Sequence, residues 1–198
     1  MIALQGRDIG SPKIPGSTTA AGSGYDLLAG GADIWETADQ FHFAHRQVMG
    51  DFDWSVRVES LQKVHDYTKA GLMVRESLDA DSRHFFHLVF PDNRLRNNNS
   101  GGYESQFRAQ TARECLALYP TTGTALPPEF PVDFPNVWLR LKREGNRFTA
   151  WAGSDGKAWK PYVTFCLDLP EAAYVGLALT AHDGSKSAAA RFRDLQAN

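Results

Sequence analysis

Apolar residues along this chain come in short bursts separated by Gly, Asn, Asp and Pro, and almost nowhere do they recur at helical spacing. Bursts of that kind, rich in Val, Phe, Trp and Leu, predict an all-β protein built as a sandwich or barrel. The strands expected are about 40–46, 51–60, 70–77, 84–90, 103–109, 114–119, 137–143, 147–153, 162–168, 173–181 and 189–195. In "GDFDWSVRVES" the alternation is clean: Phe52, Trp54, Val56 and Val58 share one face, and Asp53, Ser55, Arg57 and Glu59 share the other. "WLRLKREGNRFTAW" reads as a hairpin turned at Gly145-Asn146, and Asp155-Gly156 marks a second tight turn. The tracts 93–102 and 119–136, one Asn-rich and one Pro-rich, read as loops, because Pro cannot donate to a central ladder.

One segment breaks the alternation. In "KAGLMVRESLDADSRHFFHLVF" (69–90) both faces of two adjacent strands are largely apolar, with one Arg and one His set among them. A sheet with one wet face does not need that pattern.

At 198 residues the chain suits one domain, 1–198, with a substantial core. A formal charge of −2 with scattered Lys and Arg argues against nucleic acid or an anionic membrane as partner, and no apolar run approaches a membrane span. The opening "MIALQGRDIGSP" has neither the basic head nor the apolar stretch of a signal peptide. The expectation is therefore a cytoplasmic protein, or an extracellular one whose leader has been trimmed. Cys115 and Cys166 lie in strand-like runs and read as two buried thiols rather than a disulfide.

Seven motifs in order, "DIGSP" (8–12), "GADIWETADQFHF" (31–43), "GDF" (50–52), "KAGLMVRESLD" (69–79), "WLRLKREGNRF" (138–148), "SDGKAW" (154–159) and "YVGLALTAH" (174–182), resemble a family of bacterial and fungal domains of largely unassigned role. That family has the concanavalin A-like lectin/glucanase jelly-roll fold and includes a fungal regulator of enolase. The resemblance implies two stacked, curved antiparallel sheets, one with a concave groove. Leu72, Val74, Phe86 and Leu88 would then pack between the sheets. Met73, Arg75, Phe85, His87 and Val89 would line the groove, joined by Glu104, Gln106 and Arg108, with Tyr103 and Phe107 turned inward. Solvated strand residues with an Arg75–Glu104 pair would explain the same pattern without a ligand. Trp138 and Trp151 point away from the main apolar row of their hairpin, and form either a stacking platform for a sugar ring or a satellite core under the Pro-rich loop. Trp54 and Trp35 read as packing residues.

Catalytic chemistry finds little support. The E-x-D-x-x-E strand of the glucanases with this fold is missing, and Asp53 and Glu59, roughly 20 Å apart along one strand, make no acid/base pair. Glu76 falls with the core-facing set, where it would need an Arg partner. His42 with His45, and His84 with His87, are three apart, which places each pair on opposite faces of a strand and disfavours a transition metal. No cofactor is expected; Asp8, Asp33 and Asp194 read first as turn caps and strand-end hydrogen-bonding groups, although a structural Ca²⁺ held by them is compatible with the fold. No nucleophile motif or phosphate loop is recognisable. The resulting expectation is a non-catalytic domain recognising a glycan or small saccharide through Arg75, Phe85, His87, Glu104, Gln106, Arg108, Trp138 and Trp151. Two alternatives stand beside it: a glycan hydrolase or lyase with an atypical site, and a protein-interaction domain that regulates a metabolic enzyme.

Overall fold

The computed structural model describes residues 2–96, 101–120 and 127–198. Parts of the Asn-rich and Pro-rich loops (97–100 and 121–126) therefore lie outside the described residues. The described chain forms β1 (Gln5–Ile9), β2 (Ser17–Ala21), β3 (Gly24–Ala29), β4 (Phe41–Met49), β5 (Phe52–Leu61), β6 (Lys69–Arg75), β7 (His84–Val89), β8 (Tyr103–Arg108), β9 (Leu116–Leu118), β10 (Val137–Glu144), β11 (Arg147–Gly153), β12 (Trp159–Cys166), β13 (Ala172–Thr180) and β14 (Ala188–Ala197). A front sheet runs β1-β4-β13-β6-β7-β8-β9 and a back sheet runs β12-β11-β10-β5-β14-β3-β2, with every pairing antiparallel. Among the described residues no helix is long and apolar enough to cross a membrane.

The strands β1 to β3 were not expected from the sequence. β1 and β2 are edge strands with mostly exposed residues, so they carry no apolar alternation to read. The β10–β11 hairpin does turn at Gly145, whose φ of 59° falls where glycine is favoured. Asp155 likewise serves its turn, accepting from the backbone N–H of Lys157 and Ala158. One thiol reading needs correction: Cys115 is buried, but Cys166, near the end of edge strand β12, is exposed, and both are free.

Two apolar clusters answer the puzzle of residues 69–90. The first lies between the sheets and joins Leu72, Val74, Phe85, Val89 and Tyr103 to Trp54, Val56, Leu139, Leu141 and Phe148. The second, of Phe41, Phe43, Met73, Phe86, Leu88 and Ala178, lies on the outer face of the front sheet and is joined by Ile34. Ile34 belongs to the segment 30–40, which folds back over that face. Gly31, at φ 108°, anchors the segment so tightly that an added Cβ would sit 2.1 Å from the Gln40 carbonyl. The Thr180 hydroxyl, donating toward the carbonyls of Gly31 and Gln40, ties both ends to β13. The front sheet is thus covered on both sides over most of its area, which is why its central strands are apolar on both faces.

Candidate functional site

The expected groove residues divide among four places. Phe85 and His87 are corrections, because they lie in the core between the sheets. Residues directly opposite in an antiparallel pair share a face, and Val74 stands opposite Phe85 while Leu72 stands opposite His87. The outward set on β7 is therefore His84, Phe86 and Leu88, the reverse of the expected parity. Phe85 stacks on Phe148 of the back sheet at 5.7 Å. His87 Nδ1 lies 2.9 Å from Ser105 Oγ, and its Nε2 lies 3.1 Å from the Trp151 carbonyl across the core. A bulge sets Trp151 against Pro161, which has no N–H to offer it. Burial pushes the His87 imidazole down to about 4, so it bridges the sheets as a neutral group.

Arg75 and Arg108 do point outward from the front sheet, but both are wholly buried and fully engaged. Asp39, on the covering segment, receives Arg108 through two bonds of 2.7 and 2.9 Å and Arg75 through one of 3.2 Å. The remaining guanidinium N–H groups donate to carbonyls of Trp35, Glu36, Arg113, Ser77 and Asp79. Burial would raise the Asp39 carboxyl, yet His84 and the two guanidiniums hold it below its ordinary value. Burial also drives His84, beside Asp39, down to about 3. This is a clamp that pins the covering segment to the sheet. It leaves neither Arg available to a ligand and replaces the expected Arg75–Glu104 pair. Glu76 does take an Arg partner, Arg83, but at the surface rather than in the core.

Glu104 and Gln106 face a pocket of ≈ 220 Å³ at the other end of the same face, with Asp33, Trp35, Tyr67, Lys69 and His182. The strands β6 and β8 supply its floor, and the ends of the covering segment and of β13 supply its walls. Lys69 Nζ donates to Asp33 Oδ1 at 2.6 Å and to the Ile34 carbonyl at 3.0 Å, and lies 5.3 Å from the centre of the Trp35 ring. His182 Nδ1 is 3.1 Å from Asp33 Oδ2, near enough for charge attraction but off the line of a hydrogen bond. The ring of His65 stacks on His182 at 4.3 Å. Tyr67 meets Phe90 edge-on and the Arg96 guanidinium at 6.0 Å, which fixes its ring at the rim. Glu104 accepts from Gln106 Nε2 at 2.5 Å and from the Tyr119 hydroxyl at 2.9 Å. Burial raises the Glu104 carboxyl, with Lys69 opposing. Burial acts on Asp33 in the same sense, but Lys69 and His182 outweigh it and hold Asp33 low. Gln106 is 1 % exposed, and its Oε1 accepts from nothing among the described residues. A buried acceptor without a donor costs about 1–3 kcal/mol, and Gln106 is among the residues that line the pocket.

Trp138 and Trp151 lie on the outer face of the back sheet, remote from this pocket. Trp138 is buried against Trp159 and the turn at Gly156, and Arg140 lies over both Trp151 (4.9 Å) and Trp159 (5.7 Å). Asp53 holds Arg140 by two bonds of 2.8 and 2.6 Å. One face each of Trp151 and Trp159 thus carries the Arg140 guanidinium, and Trp138 packs edge-on against Trp159, so the three indoles and Arg140 form a ladder. Asp8 binds the Gly16 N–H and His42, Asp33 binds Lys69, and Asp194 binds Ser23 and Arg57. The sequence reading missed Trp35, Tyr67, Lys69 and His182 as pocket residues, and read Asp33 as a turn cap or strand-end hydrogen-bonding group before a calcium ligand. Four of these five fall inside the quoted motifs, at 31–43, 69–79 and 174–182, and that was the signal available.

No family model matches the chain. Among solved structures it is similar to a functionally unknown protein of Saccharomyces cerevisiae, at 16 % identity and TM-score 0.70, covering 98 % of this chain and 96 % of that one. It is also similar to the carbohydrate binding module CBM66 of Bacillus subtilis, at 16 % identity and TM-score 0.58 over 93 % of this chain and 92 % of the other. The fold is that of the concanavalin A-like lectins and glucanases. The exoplasmic/lumenal domain of VIP36, solved with Ca²⁺ and Man3GlcNAc, shares it at 12 % identity and TM-score 0.57, covering 98 % of this chain and 82 % of that domain.

Proposed function

We propose that this protein binds carbohydrate, and that the pocket of Asp33, Trp35, Tyr67, Lys69, Glu104, Gln106 and His182 is the binding site. The observation that carries the reading is the unpartnered Gln106 Oε1 beside Glu104, in a pocket flanked by the rings of Trp35 and Tyr67. A sugar ring has hydroxyl donors for such acceptors and an apolar face for such rings. The names of two structural neighbours, a carbohydrate binding module and a domain bound to Man3GlcNAc, support the same class of ligand. The test is saturable binding of the purified protein to a broad glycan panel. Trp35→Ala and Gln106→Ala should each weaken it by about tenfold, or roughly 1.4 kcal/mol. Binding that survives both substitutions unchanged excludes this pocket, and no binding across the panel excludes the function.

A second reading, hydrolysis of the bound glycan, is favoured by one observation: the Glu104 and Asp33 carboxyls are displaced in opposite directions. Glu104 would protonate the glycosidic oxygen and Asp33 would take a proton from the attacking water. Slow release of reducing ends by the native protein, abolished in Glu104→Gln while binding persists, is the outcome that reading requires.

A further inference from the structure

We infer that the pocket takes the terminal residue of a neutral glycan, entered end-on, and not an internal stretch of chain. The inference rests on the reading of the pocket as a sugar site and adds the mode and class of ligand. A polysaccharide lying across the front sheet would need an open trough over several strands. That trough is filled: Phe41, Phe43, Met73, Phe86 and Leu88 are fully buried beneath Ile34 and the rest of the covering segment. The far end is sealed by the Asp39–Arg75–Arg108 clamp, whose side chains are all 0 % exposed. What stays open is this pocket of ≈ 220 Å³, below the ~300 Å³ at which pockets for drug-sized molecules begin, and a basin that adjoins it. The pocket itself has room for one sugar ring, so any further ring would have to lie in the basin.

The way out supports the same mode. A larger basin of ≈ 440 Å³ adjoins the pocket, sharing Asp33, Trp35 and His182. Beyond Trp35 and the shared His182 it offers no aromatic face, only small side chains such as Ala32, Ala38 and Ala80 with the polar Glu36, Asp39 and Gln40. A second ring leaving past Trp35 gains one stacking contact, and a third gains none.

Charge sets the class of ligand. Among the described residues Lys69 is the one Lys or Arg lining the pocket, and Asp33 Oδ1 and the Ile34 carbonyl already hold its ammonium. Two carboxyls, Asp33 and Glu104, face the same space. Among the described residues a uronate or sialate carboxylate would meet no free Lys or Arg there, whereas a neutral ring donates a hydroxyl to Gln106 Oε1 at no electrostatic cost.

The test is calorimetric titration of the native protein with linear oligosaccharides of glucose, mannose, galactose, xylose and fructose, each as mono-, di- and hexasaccharide. The corresponding long polymers and oligomers of glucuronate and galacturonate complete the set. In any series that binds, the hexasaccharide and disaccharide should agree within about threefold per mole of chain, and the uronate series should bind at least ~tenfold more weakly. A hexasaccharide more than ~tenfold tighter than its disaccharide, binding confined to long polymers, or uronates bound as well as neutral sugars would overturn the inference while leaving a sugar site standing. Silence from every probe would remove the sugar site itself, and the inference with it.

Discussion

The two ends of the outer face of the front sheet use similar side chains to opposite effect. At the closed end Asp39, Arg75, Arg108 and His84 are dry, and Asp39 and both guanidiniums are satisfied, the latter by backbone carbonyls as well as by the carboxylate. At the open end Lys69, Glu104 and Gln106 are nearly as deep and Asp33 is part-exposed, yet one acceptor is left without a donor and two aromatic rings stand at the rim. A buried charged cluster that closes its own hydrogen bonds is structure. A buried polar cluster that leaves one open, in a cavity, is a candidate site. The residue types alone do not distinguish the two.

Breaking the closed end should have the largest effect. Asp39→Ala leaves two guanidiniums buried without their anion and should cost about 3–5 kcal/mol in urea unfolding, or prevent folding outright. A loss below ~1 kcal/mol would mean that the clamp is not what holds the covering segment.

Acid should come next. His84 and His87 are held down to about 3 and about 4 from 6.5, so below pH 6.5 the unfolded chain takes up protons that the folded one refuses. Stability is therefore complete above pH 6.5 and falls with acid, by about 1.4 kcal/mol per pH unit for each imidazole until its buried value is reached. His87→Gln should remove about half of that slope between pH 6 and 4.5. An unchanged slope would place the acid sensitivity elsewhere.

The sequence made the sandwich legible because alternation survives wherever one face of a strand is wet, as in β5. It left β1 and β2 unread because edge strands need no buried row. The reversal of β7 has a specific cause. Polarity assigned His87 to the outside, but the core uses it as a neutral bridge between Ser105 and the Trp151 carbonyl. Gln106 and Glu104 were placed on the correct face because Tyr103 and Phe107 flank them in clean alternation. Trp35, Lys69 and His182 converge from a folded-back segment, a strand end and a turn, and no period along the chain expresses that convergence.

At the open end, Trp35→Ala should change stability by no more than ~1–2 kcal/mol while costing most of the sugar affinity. Arg140→Ala, in the indole ladder of the back sheet, should have the smallest effect of all. The half-exposed pair with Asp53 supports a loss of at most ~1 kcal/mol, with sugar binding unaltered. Sugar binding lost with Arg140 would move the site to the opposite sheet.

The most direct measurement is a heteronuclear NMR titration with a bound sugar, following the five indole N–H signals and the Gln106 side-chain amide. Shifts concentrated at Trp35 and Gln106, with Trp138, Trp151 and Trp159 unmoved, are the predicted result. Shifts at the ladder indoles with Trp35 and Gln106 silent would contradict the assignment of the open end as the binding site.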